Sequence, residues 1–584
     1  MRPKRGIADE HQLSQTAGCA RLGLRLRPAE APLHTFVPLI CALAVVLAAP
    51  LALAHEPAPD SGAPTPAAPV APAAAVAADP TPVAAAADAT PLADLHPVVE
   101  VPAPVPAVST LPTGPTASPW RFHSEIEQRF VGEKTSLVEA LGPLPTELTR
   151  LGPTGGLEAR SRAGFDLSFV SSGRWMRKAQ VEVLAQMRYW DLPRAPLDAS
   201  QLSLLRAKAE LTTLAGQFTL GRTASQWGLG VLATDGGYDP MQFGAKMGEN
   251  AVTRLGWAIL PAALFTADDP YTAFPLAIAV AYDQVARDDL APFAGDRATN
   301  LIGALLYRGT ELQAGAYVVR RNQTDPAALD LQATVTDGFV RYRKTARHGW
   351  VEFAAEGVYA KGHTAWLKSP AQPDGLDIAQ WGGIARVEIG RRRGALRLEA
   401  GAASADALPL NGTLRSFRFA ADHHVGLVLF GQVQRQLSVQ AQHNLSDPRF
   451  SGQGPAGVER VPTLGAVTQA TYLHPVVRVQ PYKNVAILLG GVWAQSPADV
   501  ADPFRSFLNG GKATGPRGAV GKRDLGMELD AAIECSAHFL AGLVAVARVD
   551  AGVWFPGDAF DDAHGQPMAA VGALQAQVQI RTDF

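Results

Sequence analysis

The chain has 584 residues; 47% are apolar, only 18% are charged, and the formal net charge is −2. Soluble chains carry about 25% charged residues, so this one is charge-poor, and its near-neutral balance excludes a dedicated nucleic-acid binder, which shows a basic excess. There are three cysteines, and two of them, Cys19 and Cys41, fall in the first 54 residues. Without that segment only Cys535 remains, which excludes an internal disulfide and a zinc site built on cysteine pairs.

Residues 1–54 read as a secretory signal peptide. A basic start is followed by the apolar run Phe36–Ala54, which ends in Ala52-Leu53-Ala54, the small-residue exit of an exported chain. Pro38 and Pro50 disfavour an uncleaved anchor. The basic region is long, so a start codon further downstream is also open. Residues 55–119 are mostly Ala and Pro and contain no Phe, Tyr, Trp, Lys or Arg. Such a segment buries too little apolar surface to offset its ordering entropy, so a disordered, semi-rigid periplasmic arm is expected.

At Trp120 the period becomes two. Leu157, Ala159, Ala163, Phe165, Leu167 and Phe169 share one face, with Glu158, Arg160, Arg162 and Asp166 on the other. The same alternation recurs over 179–190, over 525–535 and over 574–584. Successive strand side chains point to opposite faces, so each segment has an oily and a wet side. The segments are 10 to 14 residues long, beyond the usual five or six and suited to a tilted membrane crossing of roughly 9–11.

In chain order, strands are expected over 120–131, 156–170, 178–190, 200–213, 215–222, 251–261, 272–284, 299–308, 310–321 and 331–344. They continue over 348–361, 379–391, 394–402, 415–432, 436–445, 462–474, 482–496, 525–537, 539–555 and 568–584. Short connections (214, 309, 345–347, 392–393, 433–435, 538) alternate with long ones (132–155, 223–250, 362–378, 446–461, 497–523). That alternation and an even strand count mark an outer-membrane barrel. The expected fold is therefore all-β: one transmembrane antiparallel up-and-down barrel of 16 to 20 strands over 120–584. Six tryptophans near strand ends (Trp120, Trp175, Trp190, Trp350, Trp381 and Trp554) fit aromatic girdles at the membrane interfaces.

The terminal strand Leu574–Phe584, alternating and ending in an aromatic residue, resembles the signal by which Gram-negative outer-membrane proteins reach the barrel-assembly machinery. With the signal peptide and the preceding strands, the chain resembles porin-like outer-membrane barrels of the alginate-export and related channel type. The stretch Gly221-Arg222…Trp227-Gly228-Leu229-Gly230 looks like a strand-to-loop segment of such barrels. The resemblance implies a cell outer-membrane channel with Phe584 as assembly signal. The implied function is passive or facilitated diffusion of small hydrophilic solutes, or export of a polar polymer.

The long loop 223–250 is the constriction candidate, carrying Asp235, Asp239, Lys246 and Glu249; in general porins such a loop folds into the lumen. Alternation places Arg160, Arg162, Arg188, Arg386, Arg397, Glu528, Asp530 and Arg581 on the lumen side. Both signs occur on the same strands, which suits cross-strand ion pairs and gives no basis for ion selectivity. Two other readings remain: a structural barrel with a filled lumen, and a barrel hydrolase using His443 with Ser446, Asp422-His423-His424, or Asp558, Asp561 and Asp562 with His564. None of these spacings supplies a nucleophile, a base and an orienting group together, and no enzymatic activity is expected. The glycine-rich 151–156 precedes a strand rather than a helix, so no phosphate cradle is expected. Expected partners are outer-membrane lipid, the assembly machinery and small polar solutes, with a homo-oligomer left open; no cofactor, metal or nucleic acid is expected.

Overall fold

The computed structural model describes residues 119–583, apart from 142–147, 152–154, 172–174, 191–201, 247, 249, 266–274, 292–294, 328, 369–371, 408–411, 453–462 and 540–541. The expected signal peptide, almost all of the arm, Glu249 and Phe584 lie outside the described residues.

Eighteen long strands follow one another. They are β1 (Trp120–Thr135), β2 (Gly155–Val170), β3 (Met176–Trp190), β4 (Leu202–Thr213), β5 (Gly216–Ala224), β6 (Ala251–Ile259), β7 (Leu276–Arg287), β8 (Arg297–Arg308) and β9 (Leu312–Thr324). Then come β10 (Asp330–Ala346), β11 (Gly349–Thr364), β12 (Leu376–Arg391), β13 (Gly394–Ala403), β14 (Thr471–Tyr482), β15 (Val485–Gln495), β16 (Asp524–His538), β17 (Leu543–Phe555) and β18 (Val571–Asp583). Each pairs antiparallel with its sequence neighbour. β1 pairs with β2 and also with β18, from Glu125↔Asp583 to Thr135↔Ala573, which closes the sheet. Closure leaves no unpaired edge, the condition for strands to cross a bilayer.

The alternation sets which face is which. On β1, Phe122, Ile126 and Phe130 are exposed outside the barrel, whereas Arg129 and Glu133 are buried inside. On β16, Met527, Leu529 and Ile533 are exposed while Glu528, Asp530 and Glu534 are buried. One barrel end has connections as short as 214–215, 347–348, 392–393 and 483–484; the other carries 225–250, 404–470, 496–523 and 556–570.

The count is eighteen rather than twenty because 415–432 and 436–445 are not wall strands. Phe417 and Phe419 do alternate in an extended stretch, but that stretch lies inside the barrel, bridged through Arg418 to Thr468, and both rings are buried. Residues 429–446 are helical, a wide π-turn segment (Leu429–Gln434) running into α1 (Arg435–Ser446). In α1, Leu437, Ala441 and Leu445 are buried at a spacing of four while Val439 is exposed; the helical stripe prevailed over an apparent period of two. The turn expected at 433–435 is part of this helix. The strand expected over 462–474 starts later, at Thr471, after Leu464 and Gln469 take left-handed backbone conformations. Trp120, Trp175 and Trp381 are exposed, and Trp350 lies under Arg343. Trp554 is not a girdle residue: it is fully buried, edge-on to Phe560, with Nε1 donating to the Leu525 carbonyl.

Candidate functional site

The chemistry of this barrel lies in its lumen, where residues 227–246 of the 225–250 segment and 417–435 of the 404–470 segment fold inward. The first leaves β5 and meets the far wall. Trp227 packs edge-on against Tyr317, 4.3 Å between ring centroids, and donates from Nε1 to Asp337 at 3.1 Å. Asp239 accepts two hydrogen bonds from Arg397, at 2.8 and 3.0 Å, and lies 3.8 Å from Arg386. Arg397 also donates to Glu388 at 2.9 Å. Burial pushes the Asp239 carboxyl up, but the Arg397 and Arg386 guanidinium groups outweigh it and hold it well below the usual carboxylate range. Tyr238 donates to Glu534; burial first and then that carboxylate push its hydroxyl well above the usual phenol range.

The other constriction candidates serve differently. Asp235 accepts from the Gly237 amide, closing a local turn. Lys246 is tied to the wall through its carbonyl, which accepts from Arg129 at 2.7 Å. Phe243 at the loop's inner end is fully buried. It occupies the space a side chain at inward-facing Gly490 would fill, since a Cβ there would come within 2.5 Å of the ring.

Segment 404–470 packs beside the first. Its Phe417, Phe419, Val425, Leu427, Val428 and Phe430 join one apolar cluster with wall residues Ile384, Tyr472, Val476, Leu488, Val492 and Val571. The two segments touch: Gly248 N donates to Asp422 at 2.9 Å, and His424 Nδ1 to the Phe243 carbonyl at 3.1 Å. Between them is a small cleft lined by Phe243, His424, Gln432, Arg435 and Gln575 among others.

The wall residues expected to face the lumen sit in paired arrays. Arg160 pairs with Glu127 across β1 and β2. Arg162 Nε donates to Gln186 at 2.9 Å. Arg188 and Arg129 share Glu158, at 3.4 and 2.9 Å. Arg386 is 3.9 Å from Glu399, and Arg581 stands opposite Glu127 in the register. Glu528 accepts from three backbone amides of the second segment, and Asp530 is buried two residues further along β16.

The hydrolase candidates do not assemble. Ser446 Oγ donates to the His443 backbone carbonyl, not to its ring. His423 faces Glu399 at 3.2 Å, Asp422 is taken by Gly248, and Asp562 accepts from the amides of His564 and Gln566. Among the described residues no group of three or more His, Cys, Asp or Glu side chains is arranged to hold a metal.

Reading by alternation missed the second segment, Tyr238 and Phe243. A signal existed. On β15 the inward positions Ala486, Leu488, Val492 and Ala494 are as apolar as the outward Ile487, Leu489 and Trp493, and a water-facing wall would not be.

No family model matches the chain, and no curated protein matches it. Among solved structures it is similar to Pseudomonas aeruginosa OccK8 (OprE), with 6% identity, 79% of this chain and 98% of that one covered, and a TM-score of 0.45. It is similar to the outer membrane protein OpdK from Pseudomonas aeruginosa at 8% identity, over 80% of this chain and 99% of that one, with a TM-score of 0.44. A third is Acinetobacter baumannii OccAB1, with 10% identity, 79% and 97% covered, and a TM-score of 0.44. The narrower likeness to alginate-export channels rests on the sequence alone.

Proposed function

We propose that the chain is an outer-membrane channel for passive or facilitated diffusion of small hydrophilic solutes, with 225–250 and 404–470 narrowing its lumen. Barrels of 16–18 strands enclose a water-filled channel unless something fills it. One observation carries the reading: the inward segments tie to β9–β18 and β1 and leave charged side chains of β4 and β6 partly exposed. The Arg129 and Arg548 side chains, which both reach the inward loop, are 7% and 2% exposed, whereas Arg206 on β4 and Arg254 on β6 keep 28% and 26%. The aqueous path then follows the β3–β7 wall past Glu182, Arg206, Lys208, Glu210 and Arg254, with Asp239 and Lys246 on the loop opposite. Export of a polar polymer uses the same wall if the inward segments move aside.

A second reading, a filled structural barrel, is supported by the apolar cluster inside the lumen. Single-channel recording of residues 55–584 in a planar bilayer separates the two. Steady ohmic steps of nanosiemens order, altered in ion preference by Arg206→Gln, support the channel. A folded and inserted barrel that stays silent overturns it in favour of the filled barrel.

A further inference from the structure

The two inward segments are held to the wall by the same device. At Gly426-Leu427-Val428-Leu429 the chain turns and presents three successive amides to Glu528 of β16. Leu427 N and Val428 N donate to Oε1 at 2.5 and 2.6 Å, and Leu429 N donates to Oε2 at 2.7 Å. At Trp227-Gly228-Leu229-Gly230-Val231 the other segment presents Leu229 N and Val231 N to the two oxygens of Glu356 on β11, the latter at 3.3 Å. Both carboxylates are buried, at 0% and 4% exposure.

In each case the residue before the first donor is a glycine in the left-handed region, φ +53° at Gly228 and +70° at Gly426. In each case a Cβ on that glycine would strike the same carboxylate; at Gly426 it would come within 2.6 Å of Glu528 Oε1. Only glycine combines that backbone with that approach. Each glutamate also has an acidic neighbour on the inner face: Asp337, which takes the Trp227 indole N–H, and Asp530. The repeat spans two unrelated segments and two distant strands, so it is not an accident of one loop. It also gives a use to Trp227-Gly228-Leu229-Gly230, which the sequence singles out without explaining.

We propose that Glu356 and Glu528 are paired positioning residues that set the bore of the channel, each latching one inward segment through a glycine-led run of backbone amides. Three amides converging on one buried carboxylate form charge-assisted bonds, stronger than neutral ones. Most of the remaining contacts of 427–430 are apolar and non-directional, so the latch fixes where the segment sits. This rests on the channel reading above.

The test compares wild type, Glu528→Ala, Glu528→Gln and Glu356→Ala in planar bilayers, with neutral polyethylene glycols of increasing size as probes of the bore. Folding is checked by the migration shift of the unheated barrel on a gel. Losing the three bonds raises the fraction of time spent in a wide state by about tenfold or more, and admits probes that the wild type excludes. Glu528→Gln, which keeps one acceptor oxygen, falls between wild type and Glu528→Ala. Hydrogen exchange on the unaltered protein gives a second readout: the Leu427, Val428 and Leu429 amides exchange at least about a hundredfold more slowly than exposed loop amides. Folded variants with wild-type conductance and probe cutoff overturn the latch. So does fast exchange at those three amides, which decides the matter even if a variant does not fold. A wild type that is silent while Glu528→Ala conducts leaves the latch standing and removes only the permanently open channel.

Discussion

Asp239→Asn is the sharpest perturbation of the inward loop. The Asp239 carboxylate receives two guanidinium hydrogen bonds from Arg397, whose side chain is 9% exposed. Breaking a buried ion pair costs about 3–5 kcal/mol when the partner is left uncompensated. Here Arg397 keeps Glu388 at 2.8 Å, and Asn still accepts one hydrogen bond, so the loss is smaller, about 2 kcal/mol. That figure corresponds to about a 30-fold fall in the ratio of docked to undocked loop. It is read as flicker in single-channel current, with the undocked state appearing as a resolved second conductance level. The pH dependence follows from the direction of the shift. The folded carboxyl lies below its unfolded value, so its contribution is complete above the ordinary carboxylate range and is lost only as pH falls through the lower, folded value. The Asp239–Arg397 tie itself should therefore contribute no change in conductance from about pH 8 to about pH 4. An Asp239→Asn channel with wild-type noise would refute the view that this pair holds the loop.

Three further outcomes are expected. Trp554→Ala removes a fully buried ring in contact with Phe560 and should lower barrel stability by about 3–5 kcal/mol, while Trp120→Ala on the outer face should cost far less; gel-monitored thermal unfolding compares them. Arg206→Ala, on the partly exposed wall, should change ion preference with little loss of stability, because Glu182 keeps Lys208 at 3.2 Å, whereas Arg548→Ala, which strips buried Asp550 of its partner at 2.8 Å, should destabilise the barrel by about 3–5 kcal/mol. Asp502 caps a short helix by accepting from Arg505 N at 2.8 Å, and burial raises its carboxyl to about 6 despite that bond. Its folded value exceeds the unfolded one, so its contribution is present at low pH and lost as pH rises through about 6. Asp502→Asn should consequently gain stability relative to wild type on going from acid to alkaline conditions, measured by the same unfolding assay; a constant difference across that range would sink the assignment.

The wall was legible in the sequence because two independent signals coincide on it. Period-two hydropathy gives the strand, and the sign of each face gives inside and outside, as with Phe165 and Leu167 against Arg160 and Arg162. The lumen contents were not legible because their signals are local and ambiguous. Phe417 and Phe419 alternate as a wall strand would, and only the pairing partner shows that their apolar side meets protein instead of lipid. Gln436–Leu445 contains enough alternating Leu and Val to pass for a strand, and its helical stripe becomes distinctive only when Leu437, Ala441 and Leu445 are found against a common neighbour. The Asp239–Arg397 tie joins residues 158 positions apart, a separation at which nothing local announces a partner.

What the sequence does carry about the lumen is the inner-face hydropathy of each strand. A wall that faces water should read polar on its inner positions, as β4 does with Arg206, Lys208 and Glu210. β15 does not: its inner positions are Ala486, Leu488, Gly490, Val492 and Ala494. An apolar inner face on a lipid-facing strand would expose oily surface to a water-filled lumen, at about 25 cal/mol for each Å² left uncovered. The barrel avoids this by covering that face with Phe243, Val425 and Leu427 of the inward segments, all in one cluster with Leu488 and Val492. The acids then have a place in the same scheme. Apolar burial brings the segments to this side of the barrel but does not fix their register, and Glu356, Glu528 and Arg397 supply directional bonds at single points along them. The strands with mixed inner faces hold the inserted chain, and the partly exposed charges Glu182, Arg206, Lys208 and Glu210 on β3 and β4 stand outside that apolar cluster.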